Sequence, residues 1–411
     1  MASRGGARRA PRHSASGHTH GHGHAHGHGH GVGLDSPPVP TWARFGLIGV
    51  IVLATLGALL GTVLLWPDGD ATPRGGLDGI VASAPGVTYP HATVTDVGRD
   101  ALAAEVDEGT DRGSTVRVQV PPEVAASGLT VGDRVELVRV PAQAGGETSW
   151  SYNNTDRDAV LLWLVVLFAV VVLVVARLRG LMAMVGLAVA GVVIWRFTLP
   201  ALLDGENGLA VAVVTATLIM VVVLYTTHGF SLRTSAALVG TLLGVAATAG
   251  IALFWAGQAR LTGVSDESGG LLVSAAGDLD FRGLLACAFV VAGLGVLNDV
   301  TITQASAVWE LRAASSQMSR RQLWRGAMRI GRDHIASTIY TIAFAYAGSS
   351  LVVLMLLSLY DRPLLDLVSS EQLAEEVVRT LTSSIGLVLA VPLTTAVAVG
   401  LVGGPRRDRL E

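Results

Sequence analysis

The sequence has no lysine and a single cysteine, and both scarcities limit what the protein can be. All 29 basic residues among the 411 are arginines. With Cys287 as its one thiol, the chain can form neither an internal disulfide nor a CxxC metal or redox site. Charged residues make up only 15% of the sequence and hydrophobic residues 51%. A soluble protein of this length needs a larger charged surface, so the composition indicates a membrane protein.

Long apolar runs are abundant. About 20 helical residues, at about 1.5 Å each, cross a hydrocarbon core roughly 30 Å thick. The sequence predicts eight such helices, at 45–66, 159–176, 181–199, 209–227, 234–256, 283–308, 335–358 and 384–403. The first follows a basic stretch, as in a signal peptide, but Trp66, Pro67 and Asp68 offer no small-residue cleavage site. The predicted fold class is an all-α polytopic membrane protein whose first helix is an uncleaved anchor.

One polar segment, residues 67–158, separates the first two predicted spans. It contains three alternating stretches typical of strands, at 92–97, 115–120 and 134–140, with a Val-Gly-Asp turn at 131–133. The predicted organisation is therefore a low-complexity tail (1–44), a first span (45–66), a small β-rich domain (67–158), a seven-helix membrane domain (159–403) and a short tail (404–411).

The positions of the arginines predict the topology. They concentrate at 1–44, 177–179, 233, 312–332 and 406–409. With eight spans and the N-terminus inside, all five segments fall on one side, and short arginine-rich loops stay in the cytoplasm. The loops on the other side are acidic. We therefore expect a multi-pass protein of the bacterial cell membrane, with both termini cytoplasmic and the β-rich domain extracytoplasmic.

The sixth predicted span carries the most informative polar residues. Asn298 and Asp299 lie inside it, and Asp299, Thr303 and Ser306 share one helical face. Carboxylates are rare inside bilayers and are usually paired or functional. Two interpretations stay open: an ion or proton path in which Asp299 titrates, or a structural pair between Asp299 and an arginine near the cytoplasmic surface. Either way we expect this face to turn toward other helices or a wet cavity.

The seventh and eighth predicted spans add further candidates. Arg332, Asp333 and His334 begin the seventh span, and Thr338 shares a face with His334. A histidine there can carry a proton or bind a metal, whereas boundary charges can also simply reach the headgroups. Pro392 interrupts the eighth span, as in the broken helices of transporters, although proline is also ordinary in membrane helices.

Two basic segments suggest partners. Ser319 and Gln322 form a capping-box pattern that predicts a short basic amphipathic helix, and we expect the 312–332 loop to bind anionic lipid headgroups. Nucleic-acid binding is not expected, and a homo-oligomer stays open. The tail has alternating histidines suited to Zn, Ni or Cu, or else it is a neutral low-complexity segment. These are His18, His20, His22, His24, His26, His28 and His30.

The chain resembles the YibE/F-like family of multi-pass membrane proteins from about residue 90 to residue 403. The resemblance rests on short segments in a fixed order. These are 131–135, Arg157, 162–164, 167–168, 180–181, 228–230, 236–241, 293–296, 299–301, 331–333, 345–348 and 384–394. It implies location and architecture but no substrate. It also implies an acidic residue at position 298, where this chain has Asn298, and an asparagine at position 340, where it has Tyr340.

Two functions stay open at this point. The first is a transporter or permease of a small solute or ion, with a divalent metal as one candidate, and the polar face of the sixth span favours it. The second is a non-transport membrane sensor or assembly module, favoured by the lack of visible paired charges inside the spans. Nothing resembles a Walker loop or a Ser/His/Asp set, so we expect neither ATP hydrolysis nor another enzymatic activity, and no cofactor beyond a metal on the histidine tract.

Overall fold

The structure is a computed structural model that describes residues 39–67, 86–142, 148–276, 279–359 and 363–403. One helix, α1 (Thr41–Leu64), precedes a five-stranded sheet, and helices make up most of the described chain after it. The long helices after the sheet are α3 (Asp158–Val193), α5 (Gly208–His228), α6 (Leu232–Gln258), α8 (Phe281–Ala314), α9 (Arg320–Ser349) and α12 (Glu371–Leu401). A short helix, α2 (Pro122–Ala125), lies within the sheet segment. The shorter helices after the sheet are α4 (Leu199–Leu203), α7 (Glu267–Ala275), α10 (Leu351–Ser358) and α11 (Leu364–Val368).

Six helices of the described chain are long and apolar enough to cross a membrane, or seven if the bent pair α9 and α10 counts as one span. They confirm the predicted helices at 45–66, 209–227 and 234–256 to within a few residues. The predicted helix at 283–308 is also present, as the longer α8. The apolar helices indicate a membrane protein.

The predicted spans 159–176 and 181–199 fall in one helical run, Asp158–Leu203, of 46 residues. At about 1.5 Å per residue this run is roughly 69 Å long, more than twice the hydrocarbon thickness, so it cannot be a single straight span. Arg177, with φ 54° and ψ −138°, breaks it between the two predicted spans. A π-helical turn, Ile194–Thr198, joins α3 to α4.

Two predicted spans had the wrong boundaries. The predicted short basic helix and the first half of the predicted span 335–358 form one continuous helix, α9, which the capping box of Ser319 and Gln322 begins. After Ser349 the axis bends by 63° into α10, next to a Gly-Ser-Ser sequence of the kind that often marks kinks. The last span begins at Glu371 rather than at 384, and α12 continues through Pro392 without ending there.

The segment between α1 and α3 is β-rich, as predicted. Its strands are β1 (His91–Val97), β2 (Ala101–Val106), β3 (Thr115–Gln119), β4 (Arg134–Val140) and β5 (Ser149–Thr155). They form an antiparallel sheet in the order β3-β2-β1-β4-β5, and β3 also packs against β5, so the sheet nearly closes. The three predicted strands are confirmed as β1, β3 and β4. At the predicted turn, Gly132 has φ 100° and its amide donates to the Val94 carbonyl.

The core of the helical part is formed by α5, α6, α8 and α12. Small residues let these helices approach closely. Gly208 of α5 lies directly against Gly283 of α8, and Gly240 of α6 faces Thr394 of α12. One buried side chain, Gln304 of α8, joins three helices because its Nε2 donates to the Ala327 carbonyl of α9 (3.0 Å) and to Thr395 Oγ1 of α12 (2.7 Å).

Candidate functional site

Asp299 of α8 and His334 of α9 lie side by side, and we call them the central pair. His334 Nε2 is 3.5 Å from Asp299 Oδ2, which is an ionic contact when the imidazole is protonated but is longer than a good hydrogen bond. The His334 side chain is 29% exposed and the Asp299 side chain 67% exposed. The partner of Asp299 in the structure is thus a histidine and not the arginine that the sequence suggested.

The central pair lies along the membrane helices and not beyond their ends. Thr301, two residues after Asp299, contacts Thr241 of α6 through the two hydroxyl oxygens (2.6 Å). Thr241 is the tenth residue of α6, roughly 14 Å from the start of that helix. On the other side, His228 at the end of α5 is within electrostatic range of Asp299, Arg179 and Arg233. Asp299 therefore lies between the middle of the bundle and the end at which α5 stops and α6 begins, which we call the His228 end.

The polar face predicted on α8 is only partly enclosed. Thr303 and Ser306 are half-buried, but Asp299 itself is exposed on the surface of the single chain. Of the two surroundings expected for this face, other helices or a wet cavity, the first does not apply to Asp299 in the single chain. Asn298 points inward, and its Oδ1 is buried without a hydrogen-bond partner among the described residues. That atom can accept a hydrogen bond from water or from a transported group next to the central pair.

Four other predicted residues do not join the central pair directly. Arg332 and Asp333 are exposed, although they precede His334 in the chain. Thr338 is buried, and its hydroxyl donates to the His334 carbonyl of its own helix (2.8 Å). Pro392 is half-buried in α12, which continues to Leu401.

A second charged set, which the sequence analysis missed, lies near the other end of the bundle. Arg379 of α12 pairs with Glu375 through Nη2 and with Glu376 through Nη1 (3.0 Å), and we call these three residues the α12 charge cluster. Its guanidinium also lies 5.5 Å from the ring centre of Phe289 on α8. Glu375 is only 9% exposed. The candidate span α12, which begins before the predicted span 384–403, thus contains a paired set of charges that the sequence analysis did not include.

Helix α9 connects the two sets. Tyr346, twelve residues after His334, faces Arg379, Glu376 and Ser383 of α12. Twelve residues correspond to roughly 18 Å of helix. Between the two sets, α9 presents Ile342, which is buried and apolar. The spacing Glu375 to Arg379, at i and i+4, was visible in the sequence as an intrahelical pair, but the acidic residues placed it in a predicted loop.

The predicted headgroup-binding segment divides into two parts. Arg312 is 5% exposed, and its Nη1 donates to the carbonyls of Ser316 (3.2 Å) and Met318 (2.7 Å). It therefore fastens the connection between α8 and α9 and is not free to meet lipid. The remaining arginines of the segment are exposed along α9: Arg320, Arg321, Arg325, Arg329 and Arg332.

Metal ligands do not cluster in the described part of the chain. No group of three or more His, Cys, Asp or Glu side chains there could hold a metal ion. The histidine tract, His18 to His30, lies outside the described residues. The central pair, with one carboxylate and one imidazole, has too few ligands for a closed metal site.

The helices and the charges inside them define a class: a polytopic membrane protein with titratable side chains within its candidate spans. The family model for the YibE/F-like protein matches residues 164–404, more than half of the chain. The chain therefore belongs to the YibE/F-like family, as its sequence suggested. The matched region contains the central pair and the α12 charge cluster, whereas the sheet lies before it. No curated protein and no solved structure matches the chain.

Proposed function

We propose that this protein is a transporter or permease of a small ion or solute that works without ATP hydrolysis. The observation that carries the proposal is the placement of titratable side chains at two depths within the candidate spans. A charged residue in mid-membrane costs roughly 2.5–3.5 kcal/mol on insertion scales, so such residues mark ion or proton paths by default. The central pair lies deeper in the bundle and the α12 charge cluster nearer one end, and two charged sets along the same bundle support a path more strongly than one.

The central pair and the α12 charge cluster act as two stations of this path. In the central pair, the imidazole of His334 lies 3.5 Å from the Asp299 carboxylate, so the charge state of His334 sets the charge that faces Asp299. In the α12 charge cluster, two carboxylates share one guanidinium, which leaves a net charge of −1 that attracts a cation. Ile342 separates the stations as a dry layer. A small movement of α9 against α8 and α12 is then needed for passage between them.

The proposed orientation has eight crossings with both termini in the cytoplasm of a bacterium. Two additions bring the six candidate spans to eight: the Asp158–Leu203 run counts as two spans, one on either side of Arg177, and the bent pair α9 and α10 counts as one more. The His228 end, near Arg179, Arg233 and the basic turns of α9, is then cytoplasmic, and the sheet is outside.

Reconstitution into liposomes tests transport. The probes are protons, a panel of divalent metals and small anions, each followed with a dye inside the vesicles. We expect flux of at least one probe, and Asp299→Asn should reduce that flux at least tenfold. Asp333→Asn removes the same charge from the exposed residue beside His334 and should keep the flux. Loss of flux in both variants, or in neither, contradicts a role for the central pair.

Thiol labelling tests the orientation. Cys287 is buried, so a cysteine introduced at Asp100 in the sheet segment or at Arg321 in α9 is the main reactive site of the folded protein. In intact cells, an impermeant reagent should label the cysteine at position 100 and should reach position 321 only after permeabilisation. Labelling of both from one side refutes the orientation.

A non-transport sensor or assembly module remains the second candidate. The observations in its favour are that the Asp299 side chain is two-thirds exposed and that Asp299 does not line the groove of about 820 Å³ described below. Absence of flux for every probe, with intact folding, would select this candidate.

A further inference from the structure

A groove of about 820 Å³ lies among α1, the end of α5 and the start of α6, and no residue of the central pair or of the α12 charge cluster lines it. It runs along α1 from Arg44 to Leu56, twelve residues or roughly 18 Å of helix. One leaflet of a bilayer has a hydrocarbon depth of about 15 Å, half of the roughly 30 Å core. The groove is therefore about as deep as one leaflet.

The walls of the groove are mainly apolar. Where hydroxyls occur, two of them satisfy each other: Tyr225 Oη lies 2.9 Å from Ser235 Oγ. The Tyr225 ring stacks on Phe230, with ring centres 4.7 Å apart, and Phe230 is 90% exposed. Such a surface can make many van der Waals contacts with a hydrocarbon chain and presents few polar groups that need a hydrogen-bond partner.

The charge of the groove is concentrated at one end. Among the lining residues of the described chain, Arg44 alone is charged, and it lies at the His228 end. Arg179 and Arg233 are near the same end, because both act electrostatically on His228. An apolar slot one leaflet deep with arginines at its mouth fits a molecule that has a hydrocarbon chain and an anionic head.

We propose that this groove binds an anionic phospholipid, with an acyl chain along α1 and α5 and its phosphate at Arg44. The inference depends on the membrane setting but not on transport. One basic residue near a membrane surface contributes about 1 kcal/mol toward anionic lipid, which corresponds to about fivefold in affinity.

The test is native mass spectrometry of the delipidated full-length protein with equimolar phosphatidylglycerol and phosphatidylcholine. The wild-type protein should retain more phosphatidylglycerol than phosphatidylcholine. Arg44→Gln should weaken phosphatidylglycerol binding about fivefold and should weaken phosphatidylcholine binding less, because the choline cation already offsets the phosphate charge of that lipid. The matched control is Arg282→Gln, which removes an exposed arginine at the start of α8 near the opposite end. Equal effects of the two substitutions overturn the role of Arg44.

A second pair of variants tests the groove itself. Val52 lines the groove and is 47% exposed, so Val52→Trp should fill it and remove binding of both lipids. Leu53→Trp, on the neighbouring residue that is 72% exposed and does not line the groove, should bind like the wild type. If Val52→Trp melts early, Ile48→Trp replaces it. Unchanged binding in the filled variant, or displacement of a bound molecule that is not a phospholipid, overturns the proposal.

Discussion

Replacing Gly240 by alanine tests how closely α6 and α12 pack. A methyl group at position 240 would lie 2.8 Å from Thr394 Cβ and 3.0 Å from its Cγ2. Carbon atoms in contact prefer about 3.5–4.0 Å. Rotation of the Thr394 side chain moves Cγ2 but leaves Cβ in place, and Thr394 is fully buried. The two helices therefore have to separate before the methyl group fits.

Two opposing effects set the size of the change. Overpacking of a close-packed interior costs about 1–3 kcal/mol. Alanine in place of glycine within a helix returns about 0.8–1.0 kcal/mol. We expect Gly240→Ala to lower the free energy of unfolding by up to about 2 kcal/mol, the overpacking cost less the helix-propensity gain. The melting temperature should then fall by up to about 8 °C, taking 2–4 °C per kcal/mol.

The chain provides its own reporter for this measurement. Cys287 is the one cysteine and is 2% exposed, so a fluorogenic thiol reagent in detergent reports the opening of α8. The control is Gly250→Ala, in the same helix, where an added methyl group meets nothing within 4 Å. It should melt at or above the wild-type temperature. If both variants melt alike, the close packing of α6 on α12 is wrong.

Three other substitutions have defined outcomes in the same melting assay, with wild type as reference. Gln304→Ala removes the bonds to Ala327 and Thr395 and should cost about 1–3 kcal/mol; an unchanged melt would show that these bonds contribute nothing net. Ser319→Ala removes the capping box of α9 and should cost about 1 kcal/mol, so a stabilised variant contradicts the assigned start of that helix. Leu137→Ala opens the fully buried core of the sheet, at about 2–5 kcal/mol, and should increase protease cleavage within residues 86–142; equal cleavage argues against the strand register.

Hydropathy predicted the apolar helices well because the sequences of these helices contain few charged residues in their interiors. The runs that became α1, α5 and α6 are bounded by polar residues, so their ends were visible. Strands β2 and β5 were missed because one is rich in alanine and the other in serine and asparagine, residues that favour strands only in the right context. Their pairing with β1 and β4 supplies that context, which no local pattern records.

Charge misled the sequence analysis in two places. The basic turns of α9 looked like a separate surface helix, yet arginines do not end a helix, and the bend comes only after Ser349. Glu375 and Glu376 lowered the hydropathy of the first turns of α12, so those turns were assigned to a loop. Pairing with Arg379 neutralises much of that charge, and hydropathy averages do not include such pairing. The contact between Asp299 and His334 depends on helix packing and could be anticipated only as two separate candidates.

The continuity of α9 links the surface of the membrane to its interior. Its first turns carry the exposed arginines, and His334 lies in the same straight segment before the bend. A continuous helix can transmit a displacement along its length, because its backbone hydrogen bonds hold each turn to the next. On the expectation that the basic turns meet anionic headgroups, a change of lipid charge that moves these turns would also shift His334 against Asp299. In that arrangement the fraction of anionic lipid in the membrane would affect the distance between His334 and Asp299.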